Sequence, residues 1–493
     1  MKNIIQTKLT VLVCLVFTIC SCSDFLEEDL SAQLTPEGDA LANENGLTAA
    51  LVGVYSPLTK TWQSGFETAA TQGILMGGDD LTTHKASNKS DFREFDQFNV
   101  AQQNGRLPFI WRGAYKSIQG SNNIIANYQN ATGNESVINQ IAGEAYFLRA
   151  YNYFWIVRLW GKAPILLNSQ VYDPENLTMS SSPTEEIYAQ IISDLEQSIS
   201  LMQKLKPATG RASQGTAKAI LAEVYLQMAG WPLKDTSKYA MAASIAKDLI
   251  DNQDEYGFGL MDNFIDLWPS ETINNDGNKE EVFALNFSAV IASNSNSAYG
   301  NAARPGELGG WDDYFSEIAF FNNFPDQLRK EITFQTELPD GTPWEQFNTG
   351  RPYYEKLQGD ALTWRNSLSL PLERMAEVYF NYAEAQVMAT GDSTDPDALE
   401  AVNKIVRRAY GLPLNTPDAS VDYTSLTQAQ IVQEKAWEFA GEYCRWFDLT
   451  RLEMVESVTA NKNPDDLQPL GEIKYYMPLP ARETLVNPGL NNY

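Results

Sequence analysis

The chain has 493 residues, with 36 Lys plus Arg against 63 Asp plus Glu and a formal charge of −27 at pH 7. A polyanion of this kind repels phosphate backbones and anionic lipid heads, and no run of Lys or Arg offsets it, which argues against nucleic-acid binding. One histidine, His84, stands beside 11 Trp, 23 Tyr and 22 Phe, which shifts weight from acid–base and metal chemistry toward stacking and packing.

At the N-terminus, Lys2 and Lys8 precede an apolar run from Leu9 to Cys20. The run is too short for a membrane-spanning helix of ~20 residues and fits the core of a signal peptide. It ends in Ile19-Cys20-Ser21-Cys22, which resembles a bacterial lipobox, with Cys22 the expected lipid acceptor and Cys20 its rival. Residues 1–21 are thus expected to be removed, and a lipid on Cys22 to hold the mature protein at a membrane. Residues 22–40 read as an acidic tether. Its start, Ser23-Asp24-Phe25-Leu26-Glu27-Glu28-Asp29, resembles the export signal of surface lipoproteins in Bacteroidetes, and its plainer reading is a solvated linker.

Residues 60–104 have weak helical periodicity and include Gly77-Gly78-Asp79-Asp80 and Asp91-Phe92-Arg93. From 105 to 252 the pattern is helical. Glu144 to Trp160 is apolar or aromatic on nearly every side, so it must be surrounded by other elements, and its Glu144, Arg149 and Arg158 need buried partners. Gly161 and Pro164 stop it. Ser182-Pro183-Thr184-Glu185 predicts a helix start with Ser182 as the cap, followed by Ile187, Ile191, Leu195 and Ile199 at helical spacing. Thr216 to Asn252 predicts a helix pair rich in small alanines, and Leu372 to Gly411 repeats it, like degenerate tetratricopeptide units.

Between these units, residues 254–370 are rich in Gly, Asn, Pro and aromatics, including Trp268, Tyr299, Trp311, Trp344 and Trp364. Loops on a rigid helical frame are where recognition is usually placed. The frame resumes over 371–455, where Asp395 before Pro396 and Thr427 with Gln430 predict helix caps. The fold class expected is mostly α: an irregular superhelix of tetratricopeptide-like pairs plus a loop-rich, ligand-binding half with little β.

No G-x-G-x-x-G, P-loop, H-E-x-x-H or G-x-S-x-G occurs. The non-terminal thiol, Cys444, lies in a helix-like context and reads as an inert buried thiol. Asp79-Asp80 has three readings: a calcium ligand pair, a hydrogen-bonding pair for sugar hydroxyls, or a helix cap. No cofactor is otherwise implied. A pyranose offers C–H patches to an aromatic face and hydroxyls to planar donors and acceptors. Trp268, Tyr299 and Trp311, interleaved with Asn294, Asn296, Asn301 and Arg304, have that chemistry, and core packing is the competing reading for each.

Several segments in order resemble the SusD/RagB family of Bacteroidetes surface lipoproteins. They are CSDFLEED, WRGAYKSIQGSNNII from Trp111, GEAYFLRAYNYFWIVRLWGKAPIL from Gly143 and ASQGTAKAILAEVYLQMAG from Ala212. ERMAEVYFNYAEA from Glu373, VNKIVRRAYGL from Val402, QEKAWEFAGEYCRWFDLTR from Gln433 and the ending YYMPLPARETLVNPGLNNY follow. The resemblance implies one domain over residues 22–493, a cell-surface location on the outer membrane, and no catalysis. It also implies an oligosaccharide ligand and a SusC-like TonB-dependent transporter as partner, with peptide cargo as the alternative. A surface glycoside hydrolase and a protein-only scaffold are remoter readings. By position the family's site falls loosely on 62–99 and 262–315, which singles out Asp79, Asp80, Arg93, Asn99, Trp268, Tyr299 and Trp311. The helix from Gln433 reads as packed scaffold, with Glu434, Glu438, Arg445 and Arg451 in internal ion pairs.

Overall fold

The computed structural model describes residues 39–59, 72–168, 178–268, 275–288, 297–359 and 367–492. The leader, Cys22 and the tether up to residue 38 lie outside it, as do Trp364, Asn294, Asn296 and the side chain of Tyr299. Ten helices form the frame: α1 (Glu44–Thr59), α2 (Leu107–Asn127), α3 (Glu135–Trp160), α4 (Thr184–Leu201), α5 (Gln214–Ala229), α6 (Lys238–Asp251), α7 (Met375–Thr390), α8 (Pro396–Ala409), α9 (Gln428–Glu438) and α10 (Arg445–Arg451).

Helix α3 is the axis of the core, packed against α1, α2 and α4. Every residue from Phe147 to Trp160 is buried, Tyr153, Phe154 and Trp160 completely. Each such aromatic contributes roughly 1.5–3 kcal/mol of burial. Its three buried charged residues find the partners their burial demands. Glu144 takes both prongs of Arg211 (2.5 and 2.6 Å) and the Tyr55 hydroxyl (2.7 Å). Arg149 grips Asp194 at 2.8 and 2.6 Å, and Arg158 bonds Glu223 at 2.6 Å while lying 3.8 Å from the Phe154 and Phe447 rings. Gly161 ends the helix with φ 72°, and a Cβ there would sit 2.5 Å from the Tyr476 ring.

The two alanine-rich repeats form as helix pairs, α5 with α6 and α7 with α8. Although over a hundred residues separate them in sequence, α6 packs directly against α7, so the frame is continuous in space. Asp395 caps α8 through the N–H groups of Asp397 and Ala398, and Thr427 with Gln430 forms a reciprocal capping box on α9. The expected Ser182 cap does not form. Pro183 is the residue before α4, and the Ser182 backbone is instead bonded to Ala163 O at 2.9 Å, a bridge to the segment after α3 that local pattern could not show.

Strand content is small, as expected of a mostly α chain. β1 (Leu81–Thr82) pairs with β3 (Phe315–Ser316), β2 (Glu281–Leu285) with β6 (Leu370–Arg374), and β4 (Phe334–Gln335) with β5 (Tyr353–Tyr354), all antiparallel. The β2–β6 ladder ties the loop-rich stretch to the start of α7, and the other two join loop segments to one another. Among the described residues no helix is long and apolar enough to cross a membrane.

Candidate functional site

The turn Gly77–Asp80 leads straight into β1, and the register Leu81↔Ser316 sets that turn beside Glu317. The Glu317 N–H donates to the Asp80 carbonyl at 3.1 Å. Glu317 then caps the short helix Ile318–Asn323, accepting from Ala319 N–H at 2.6 Å with one oxygen and from Asn463 N–H at 2.7 Å with the other. That helix places Phe320 and Asn323 on one face, since residues three apart are neighbours on a helix. Helix α9 contributes Gln433 and Trp437, four residues apart and outside the buried Ile431/Glu434/Glu438 face.

These groups enclose a hollow of about 280 Å³, lined by Asp79, Phe320, Asn323, Gln433, Trp437 and Asn461. Lys462 closes its back wall, donating to Asp96 (2.5 Å) and to the Gly78 carbonyl (2.9 Å). Asn323 is exposed, and Gln433 and Trp437 are half-buried. Among the described residues the Asn323 and Gln433 amides make no hydrogen bond, and the Trp437 indole N–H is buried without an acceptor. The hollow therefore combines aromatic surface with planar donors and acceptors whose capacity is unspent, a combination suited to a polyhydroxylated ring.

Asp79 faces the hollow, but its carboxylate is gripped by Arg445, Nε to Oδ1 at 2.6 Å and Nη2 to Oδ2 at 2.7 Å. Burial alone would raise the Asp79 carboxyl; the Arg445 guanidinium outweighs it and holds the group below its usual range. Asp80 is 1% exposed and turns away, accepting from Gly441 N–H at 2.9 Å. Burial and the neighbouring Asp79 charge push it up to about 6. Neither aspartate caps a helix. Asp79 is held as an ion-pair partner at the edge of the hollow, and Asp80 as a buried clamp on the 439–445 segment.

The other expected site residues are scattered. Trp268 is 4% exposed and packs on Phe264, with Lys356 Nζ 4.6 Å and the Arg374 guanidinium 5.8 Å from its ring. An indole so enclosed has no face for a sugar, and the expectation of stacking there gives way to core packing. Trp311 is half-buried, its backbone N–H donating to Asn301 O at 2.8 Å, while Arg304 is buried and donates to Asn301 (3.3 Å) and Gln358 O (3.2 Å). That stretch binds itself. Arg93 closes the 84–86 loop through the His84 and Ala86 carbonyls at 3.2 and 2.5 Å. Asn99 is exposed, donates to Pro469 O at 3.1 Å, and sits on the rim of a different hollow. Gln433 and Trp437 were missed because their motif reads as scaffold, although their position on the face opposite the buried stripe was a legible signal.

Set beside known proteins, the chain matches a family model described as "Starch-binding associating with outer membrane" over residues 24–226. It is similar to SusD-like protein P2 of Formosa agariphila, 27% identical with 98% of each chain covered. Its fold is similar to that of a SusD homolog from Bacteroides thetaiotaomicron, with TM-score 0.80, 18% identity and coverage of 92% of this chain and 97% of that one. It is also similar in fold to a laminarin binding SusD-like protein, with TM-score 0.74, 20% identity and coverage of 90% and 98%. Helix pairs, the order of the segments and relatives matched from end to end agree: the chain is similar to SusD-like proteins and shares their fold.

Proposed function

We propose that this protein is a cell-surface lipoprotein, anchored through Cys22, that captures oligosaccharides and hands them to a SusC-like TonB-dependent outer-membrane transporter. The observation that carries the reading is the hollow between Asp79, Phe320 and Trp437, where two free amides and an indole edge converge. Its volume of about 280 Å³ suits one or two sugar rings at a time. The laminarin binding relative supports a glycan over a peptide as cargo. Capture is reversible and non-enzymatic in this reading: His84 spends its Nδ1 on the Ala86 N–H, and Asp79 and Asp80 are committed to Arg445 and Gly441.

A glycan array on the mature protein tests the cargo, with retention of one glycan class expected. Retention of protease-digest peptides alone would reassign the cargo. Pull-down from outer membranes in mild detergent tests the partner, with co-purification of a large β-barrel expected.

A further inference from the structure

Which glycans enter the hollow is a question of charge, given the oligosaccharide reading on which this inference rests. The walls are the Gly77–Asp80 turn, the Ile318–Asn323 helix, α9 and residues 458–462. These four stretches carry two cations, Lys435 and Lys462. Both are occupied. Lys462 has three N–H donors and uses them on Asp96 and on the Met76 (3.3 Å) and Gly78 (2.9 Å) carbonyls. Lys435, 3% exposed on the buried face of α9, lies between Glu377 at 2.8 Å and Asp448 at 3.2 Å.

Cations just beyond the walls are committed as well. Arg445 stands behind Asp79 with 3% of its side chain exposed, and Lys330 holds the Phe324 carbonyl at 3.0 Å and Asp326 at 3.3 Å. Negative charge is nearer. Asp79 keeps 18% of its side chain exposed at the edge of the hollow, ionised by the grip of Arg445, and Glu317 lines the same space. Of the Asp79–Arg445 pair, the carboxylate is the half that lines the hollow.

A carboxylate or sulfate ester must shed tightly held water to enter, and only a cation or several N–H groups compensate for that loss. Among the described residues neither wall cation is free to do so, and Asp79 adds like-charge repulsion. Hydroxyls fare better. The amides of Asn323 and Gln433 each offer N–H donors and a carbonyl oxygen, the mixed set that hydroxyls need, and half-buried Trp437 adds ring surface for C–H patches. We infer that the hollow selects electrically neutral glycans, built from sugars without uronate, sulfate or phosphate groups, and excludes their acidic counterparts.

The probes are maltohexaose, laminarihexaose, cellohexaose and mannohexaose, each paired with its C6-oxidised form, which keeps the backbone and turns primary hydroxyls into carboxylates. Isothermal titration of the mature protein is expected to give heat with at least one neutral hexamer and binding of its oxidised partner at least tenfold weaker. Asn323→Lys sets a cation at the exposed rim, where Asn323 makes no hydrogen bond among the described residues, so native melting is retained. It is expected to narrow that gap at least threefold. An oxidised hexamer bound as tightly as its neutral partner, or a gap that Asn323→Lys leaves unaltered, overturns the inference while the oligosaccharide reading stands. No heat from any hexamer, neutral or oxidised, overturns the inference and counts against the oligosaccharide reading as well.

Discussion

Arg445 and Asp79, 366 residues apart in sequence, meet in a two-pronged ion pair at 2.6 and 2.7 Å. The pair ties the Gly77–Asp80 turn to the start of α10. Arg445 has 3% of its side chain exposed, so removing its partner strands a buried charge. Asp79→Asn is expected to lower stability by ~3 kcal/mol, read by urea unfolding. In a double-mutant cycle, adding Arg445→Met should restore part of that loss. Full additivity would contradict the pairing.

Two tryptophans separate stability from recognition. Trp268→Ala empties a packed core position between Phe264, Lys356 and Arg374 and should cost ~3–5 kcal/mol of stability with glycan affinity unchanged. Trp437→Ala should do the reverse, weakening glycan binding by ~1–3 kcal/mol with a smaller stability loss. Thermal melts and titrations on both variants decide between the two assignments.

Glu438 is the hub of a buried network, bonded to Arg329 at 2.9 Å, Arg374 at 3.0 Å and Arg408 at 2.8 Å. Burial would raise its carboxyl, but Arg408, Arg374 and Arg329 together hold it far below the usual range. The sign follows: its contribution is complete above the unfolded carboxylate range and is lost as pH falls. Glu438→Gln is expected to cost ~3–5 kcal/mol at pH 7 and to leave the protein less sensitive to acid, measured by denaturant unfolding at pH 4 and 7.

Asp80 and Glu223 act in the opposite sense. Burial and Asp79 push Asp80 up to about 6, and burial pushes Glu223 up to about 7, Arg158 opposing it. A carboxyl raised on folding stabilises below its unfolded value, and that stabilisation disappears as pH climbs through the folded one. Stability should therefore decline between about pH 4 and 7 at these two sites. Asp80→Asn keeps an acceptor for the Gly441 N–H and should flatten the decline, with a gain of ~1–3 kcal/mol at pH 7.5. An unchanged pH profile would count against a buried, raised Asp80.

Local pattern carried the frame. The apolar run into Trp160, the alanine-rich pairs, the Asp395 cap and the Thr427–Gln430 box all recur in the structure, because helices announce themselves within a few residues. The site was less legible, since its residues are defined by distant partners. Nothing near Trp268 in sequence reveals that Lys356 and Arg374 enclose its ring, nor that Asp80 meets a backbone N–H 361 residues away. Gln433 and Trp437 sit in a motif whose buried face invites a scaffold reading, and only their place on the opposite face of the helix marks them.

Isothermal titration of the mature protein with defined oligosaccharides, repeated on Trp437→Ala and Gln433→Ala, tests the glycan site most directly. The account predicts heat from one glycan class and an affinity loss of about 10- to 100-fold in both variants, with native melting behaviour. Unaltered affinity in both variants, or no heat from any glycan, would contradict it.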